Sequence, residues 1–141
     1  IGSFHPLALS DLFELEYWSL EQAKLASNKP KPLSGQVTLV TGGAGAIGAA
    51  TAKLFASQGS HVVVVDMHAD KAEEIAKSIG NAAIGIGADV TDAAAVRAAF
   101  DKARDVFGGV DIVVSNAGAA WEGKIGELED ATLRQSFELN F

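Results

Sequence analysis

The chain has no cysteine among its 141 residues, which excludes a disulfide framework and thiolate chemistry and fits a reducing, cytoplasmic setting. Positive charge is also scarce: 11 Lys and Arg stand against 18 Asp and Glu, a formal net charge of −7. A surface of that sign offers no footprint for DNA, RNA or an anionic bilayer, so neither nucleic acid nor membrane is an expected partner. No apolar run approaches the roughly 20 residues needed to span a bilayer, and the start lacks a basic segment followed by an apolar block. These absences predict a soluble protein. The three histidines, His5, His61 and His68, show no metal-ligand spacing, and no metal is expected. The single tyrosine is Tyr17, and two of the three prolines fall together in Lys29-Pro30-Lys31-Pro32. Residue 1 is Ile and the last residues read as the middle of a helix, so the sequence is expected to be a fragment.

Apolar residues make up 48% of the chain, enough for one α/β unit. From Gln36 onward, short apolar runs alternate with amphipathic stretches, the pattern of a doubly wound parallel sheet covered by helices on both faces. The spacing predicts strands over Gln36–Thr41, His61–Asp66, Ala82–Ala88 and Val110–Ser115. Between them lie three helical stripes. The first is Ile47, Ala50, Thr51, Leu54 and Phe55, the second Ala72, Ile75, Ala76 and Ile79, and the third Val96, Ala99, Phe100, Ala103 and Phe107. Right-handed crossovers then give the strand order 3-2-1-4, a truncated Rossmann-like sheet with its crevice beside the first strand. An open edge on the fourth strand predicts pairing with a neighbour, hence a homo-oligomer.

Residues 1–35 read differently from 36–141, which form the sheet unit. Ser19-Leu20-Glu21-Gln22 resembles a capping box, so one or two short helices carrying Phe13, Trp18, Leu20 and Leu25 are predicted before the Pro-rich linker. This helical extension is expected to dock either on the sheet unit's own helices or on another domain.

Thr41-Gly42-Gly43-Ala44-Gly45-Ala46-Ile47-Gly48 lies where the first strand turns directly into a helix. Glycines let a backbone turn tightly and approach a ligand, and the N–H groups that open a helix attract an anion. Gly43, Gly45 and Gly48 have the GxGxxG spacing, and Asp66 ends the following strand. A carboxylate at that distance can take both ribose hydroxyls of the adenosine in NAD and repels the 2′-phosphate of NADP. No Lys or Arg lies within the turn or beside Asp66, so NAD is the expected cofactor. Asp89, at the end of the third strand, can accept from the adenine amine or else help start the next helix. Asn116 can bridge neighbouring strand backbones, and Gly118 leaves room for a ligand to pass.

These residues resemble the short-chain dehydrogenase/reductase family, whose turn reads TGxxx[AG]xG; Thr41, Gly42, Ala46 and Gly48 fill its fixed positions. The turn also fits the extended branch that includes sugar-nucleotide epimerases, whereas Asp89-Val90 and Ser115-Asn116-Ala117-Gly118 look like the adenine-contacting pair and the NNAG motif of the compact branch. The resemblance implies that Gly42, Gly43, Gly45, Ala46, Ile47, Gly48, Asp66, Asp89, Val90, Asn116, Ala117 and Gly118 border NAD.

A final helix over Leu128–Phe141 places Leu133, Phe137 and Phe141 on one face, with Ser136 and Asn140 on the same stripe and expected to be buried. The resemblance gives Asn140 a catalytic part, holding a water in the proton relay behind the catalytic Lys. Trp121 either lines the substrate pocket or packs. The family's chemistry uses a Tyr, a Lys four residues later and an upstream Ser, none of which can be placed here, since Tyr17 precedes the sheet. The polypeptide by itself is therefore expected not to transfer hydride. Residues 14–25 with the Pro-rich linker and Leu33-Ser34-Gly35 resemble the join between the halves of bifunctional rhamnulose-1-phosphate aldolase/alcohol dehydrogenases. That resemblance implies an upstream aldolase domain as a contact for residues 1–35 and a small sugar-derived aldehyde or alcohol, lactaldehyde, as substrate. A non-catalytic nucleotide-binding or sensory module on the same fold stays open.

Overall fold

Runs of β-branched residues bounded by glycine favour extended backbone, and four such runs form the sheet in the computed structural model of the protein. The structure describes residues 29–124 and 126–140, and those from Pro32 onward form one unit. The helices predicted within residues 1–28 and the place of Phe141 lie outside the described residues.

Strand β1 (Val37–Thr41) leads into helix α1 (Ala46–Ser57), β2 (His61–Asp66) into α2 (Ala69–Ile79), and β3 (Ala83–Gly87) into α3 (Ala93–Phe107). Strand β4 (Ile112–Val114) is followed by α4 (Asp130–Asn140). All pairings are parallel, β1 lying between β2 and β4 and β2 between β1 and β3. The order 3-2-1-4 is therefore the observed topology.

Strand alternation divides the core between the two faces. Val37, Leu39, Val63 and Val65 pack with Ala99 and Ala103 of α3. Val40, Val62 and Val64 pack with Ala52 of α1 and with Ala72 and Ala76 of α2. Burial of Val62 to Val65 on both faces explains why β2 reads as an unbroken apolar run. Thr38, the buried polar residue of β1, pairs its hydroxyl with that of Ser60 at 2.8 Å.

Three details depart from the sequence expectations. On α1 the buried residues are Gly48 and Ala52, while Ile47 and Leu54 are 75% and 60% exposed. Small side chains let the helix axis lie close to the sheet, so the packed face is one residue out of phase with the bulky stripe. Strand β4 is shorter than Val110–Ser115, and just before it Asp111 pairs with Val37 through both its N–H, to Val37 O at 2.9 Å, and its carboxylate, which takes the Val37 N–H at 2.8 Å. On α4 the half-buried residues are Thr132, Ser136 and Leu139; Leu133 and Phe137 are 50% and 59% exposed.

Candidate functional site at the strand ends

The C-terminal ends of β1, β2, β3 and β4 surround a cavity of about 570 Å³, within the range of small-molecule sites. Backbone geometry builds its floor. Gly42 has a φ of +61°, and a Cβ there would lie 2.9 Å from Ala117 Cα and 3.0 Å from Asn116 Nδ2. A side chain at Gly48 would collide with the Gly42 carbonyl, so the start of α1 sits directly on the turn.

Within the turn the donors are already allotted. Gly43 N–H donates to Val65 O at 2.9 Å, Gly45 N–H to Gly42 O at 3.1 Å, and Ala44 N–H to Asp66 Oδ2 at 3.1 Å. The first intrahelical bond runs from Ala49 N–H to Gly45 O at 2.8 Å. The N–H groups of Ala46, Ile47 and Gly48 precede that bond, so these are the donors an anion can use. Gly43 and Gly45 shape the turn.

Asp66 occupies the place the sequence gives it, and its carboxylate is more heavily engaged than spacing alone implies. Besides the Ala44 N–H on Oδ2, its Oδ1 accepts from His68 N–H at 3.0 Å and lies 3.2 Å from His68 Nδ1. Partial burial pushes the Asp66 carboxyl up, but the His68 and Ala44 N–H groups and the His68 ring outweigh that and hold it below its ordinary value. Asp89 lines the cavity too. Its Oδ1 accepts from Thr91 N–H at 2.9 Å and Thr91 Oγ1 at 2.8 Å, bonds that hold this carboxyl below the usual carboxylate range. The cap of α3 is Asp92, whose side chain takes the Ala94 N–H at 2.8 Å.

Asn116 does bridge strands: Nδ2 donates to Thr41 O at 3.0 Å and Gly42 O at 3.2 Å. Thr41 Oγ1 in turn accepts from the N–H groups of Asn116 at 3.0 Å and Ala117 at 3.1 Å. The ends of β1 and β4 are thereby knit into one rim. Asn140 is exposed rather than buried, yet its amide is fully occupied as a donor, to Ala119 O at 2.9 Å and Ser136 O at 2.8 Å. Its Oδ1 accepts from Ala119 N–H at 3.3 Å, so it staples the segment after β4 to the end of α4.

The cavity brings together Gly42, Gly45, Ala46, Ile47, Gly48, Asp66, Asp89, Val90, Asn116, Ala117 and Gly118, while Gly43 is buried behind it and Trp121 is not in its wall. Met67, His68 and Lys71 line it as well and were not expected from the sequence. Lys71 qualifies the inference that no cation stands near Asp66: it sits in the first turn of α2 and lines the same cavity, a position readable only once that helix is known to start at Ala69. Among the described residues no group of His, Cys, Asp and Glu can hold a metal ion, and no helix is long and apolar enough to cross a membrane.

A glycine turn against helix N–H donors, an acid at the end of the neighbouring strand and a cavity at the switch point are features of a Rossmann-like α/β domain. Comparison with known proteins gives the family. Residues 36–141 match the short chain dehydrogenase family, and residues 1–25 match the second domain of class II aldolases. The chain belongs to the short-chain dehydrogenase family, oxidoreductases that use NAD(P), and begins in residues similar to an aldolase. An uncharacterized oxidoreductase of Bacillus subtilis, YuxG, is 40% identical over 133 residues, covering 90% of this chain and 19% of that protein. D-threitol dehydrogenase of Mycolicibacterium smegmatis is 45% identical over 91 residues, 62% of this chain and 35% of the relative. Galactitol 2-dehydrogenase of Agrobacterium fabrum is 34% identical over 108 residues, 77% and 42% respectively. The chain thus spans less than half the length of these relatives.

Proposed function

We propose that this chain is the NAD-binding part of a dehydrogenase half joined to an aldolase half. The whole protein oxidises lactaldehyde, or a similar small sugar-derived aldehyde or alcohol, with NAD as hydride acceptor. The observation that carries the cofactor reading is the Asp66 carboxylate lying 3.1 Å from the Ala44 N–H, which puts the acid against the glycine turn. The order of the family matches, aldolase then dehydrogenase, supports a two-headed protein. Relatives named for D-threitol and galactitol support a small polyhydroxylated substrate class. The rhamnulose-1-phosphate specificity of the aldolase half rests on the resemblance of residues 14–35.

In this reading the N–H groups of Ala46, Ile47 and Gly48 take the pyrophosphate, Asp66 the adenosine ribose, and Asp89 and Val90 border the adenine. Asn116, Ala117 and Gly118 form the rim past which the rest of the cofactor extends. NAD, when bound, supplies the hydride acceptor. The selectivity for NAD over NADP follows from a fixed anion: Asp66 is held by donors on both oxygens, whereas Lys71 is exposed on a flexible stem. Asn140 Oδ1 retains a lone pair beside the Ala119 N–H and can hold a relay water there. The family's Tyr, which exchanges the substrate proton, and the Lys four residues later that lowers its pKa have no counterpart placed among these residues.

Calorimetric titration of the full-length protein with NADH and NADPH tests the cofactor assignment. NADH is expected to bind at least tenfold tighter (about 1.4 kcal/mol), and equal or better binding of NADPH would remove the role given to Asp66. Turnover of D-threitol or galactitol without turnover of lactaldehyde would move the substrate to the polyols.

A further inference from the structure

A carboxylate offers about four acceptor positions on its two oxygens. In Asp66 three are engaged: one on Oδ2 by Ala44 N–H, and two on Oδ1 by the His68 N–H and the His68 ring. A ribose diol that donates through both hydroxyls needs two. One remains.

We propose that the His68 ring is a displaceable occupant of the ribose site, seated on Asp66 Oδ1 in the free protein and swinging off it when an adenosine ribose docks. The inference rests on the cofactor reading above and adds a competitor to it. Three observations make the ring the partner that yields. Its side chain is 58% exposed while that of Asp66 is 12% exposed, so leaving costs little burial. The backbone N–H groups of Ala44 and His68 stay on the carboxylate when the ring goes, so Asp66 keeps its position. His68 is also the N-cap residue of α2 without a side-chain capping bond, so the helix does not depend on the ring.

Since a carboxylate only accepts, the pairing needs a proton on Nδ1. Ring and ribose therefore compete for the same carboxylate oxygen, and removing the ring removes the competitor.

The test is NAD binding to the full-length protein with His68→Ala, His68→Gln and Asp66→Ala. His68→Ala should bind about twofold to fivefold tighter than wild type. His68→Gln keeps a side-chain donor for the carboxylate, so it should stay near the wild-type affinity. Unchanged or weaker binding by His68→Ala, or equal tightening by both variants, would overturn the proposal. Failure of the cofactor reading looks different: NAD does not bind, or Asp66→Ala binds it as well as wild type does.

Discussion

Gly48→Ala is the perturbation for which the structure gives the sharpest magnitude. A Cβ at this position meets the Gly42 carbonyl oxygen inside van der Waals contact, with the Gly42 carbonyl carbon and the Gly43 Cα each at 2.8 Å. All three are backbone atoms, so no flexible side-chain end can give way. The Gly42 oxygen also accepts from Gly45 N–H at 3.1 Å and Asn116 Nδ2 at 3.2 Å, and moving it strains both bonds. Overpacking of this kind costs about 1–3 kcal/mol, and each weakened hydrogen bond up to about 1 kcal/mol. Replacing a helical glycine by alanine returns about 1 kcal/mol. The expected net loss is about 0–4 kcal/mol by these terms.

Urea unfolding followed by circular dichroism reads that loss, and titration of the folded variant with NADH reads the displaced N–H donors of Ala46 to Gly48. Two controls separate the effects. Gly85→Ala drives a Cβ into the backbone of Ala72 and Glu73 on α2, away from the cavity wall, so it should destabilise while the folded fraction still binds NADH. Gly109→Ala meets nothing within 4 Å and has no positive φ, so it should fall within about 0.5 kcal/mol of wild type. If Gly48→Ala is as stable as Gly109→Ala and binds NADH as wild type does, the close seating of α1 on the turn is refuted.

Thr41→Val strips the acceptor from the N–H groups of Asn116 and Ala117 and should cost about 1–3 kcal/mol in urea unfolding; a loss below about 0.5 kcal/mol would mean the rim is held elsewhere. Asp66 has a folded carboxyl value below the ordinary 3.8, so its contribution to stability is full above that pH and is lost as pH falls through the lowered folded value. Asp66→Asn should flatten this acid limb of the stability curve, and an unchanged limb would show that the tether to Ala44 and His68 does not form. Asn140→Ala should raise amide hydrogen exchange at Ala119 with little change in global stability, because the staple is exposed; unchanged protection at Ala119 would contradict it.

How much of this was legible in the sequence differs by length scale. Strand positions and order followed from β-branched runs separated by one helix each, because parallel strands joined by right-handed crossovers leave few arrangements. The helix faces were harder. Ile47 and Leu54 look like a packing stripe, but close packing on the sheet selects the small Gly48 and Ala52, and the large residues turn outward. On α4 the stripe of Leu133 and Phe137 outranks Thr132 and Ser136 in hydropathy, yet the latter are the less exposed. Hydropathy reports what a residue favours, whereas the packed face is set by how closely two backbones can approach.

The same distinction governs the site. The positions of Gly42, Gly48 and Asp66 were readable because a strand, a tight turn and a helix leave one geometry for the backbone. His68 and Lys71 were not readable as site residues, since their place depends on where α2 begins after Asp66, which no glycine or proline marks. Their consequence lies in occupancy rather than position. A motif specifies that a carboxylate stands beside the turn; only the hydrogen bonds reveal that one side chain already engages the oxygen a ribose would use. On the proposed cofactor reading, nucleotide affinity is a difference between two sets of donors competing for Asp66, and a substitution at a residue outside the motif is expected to raise it.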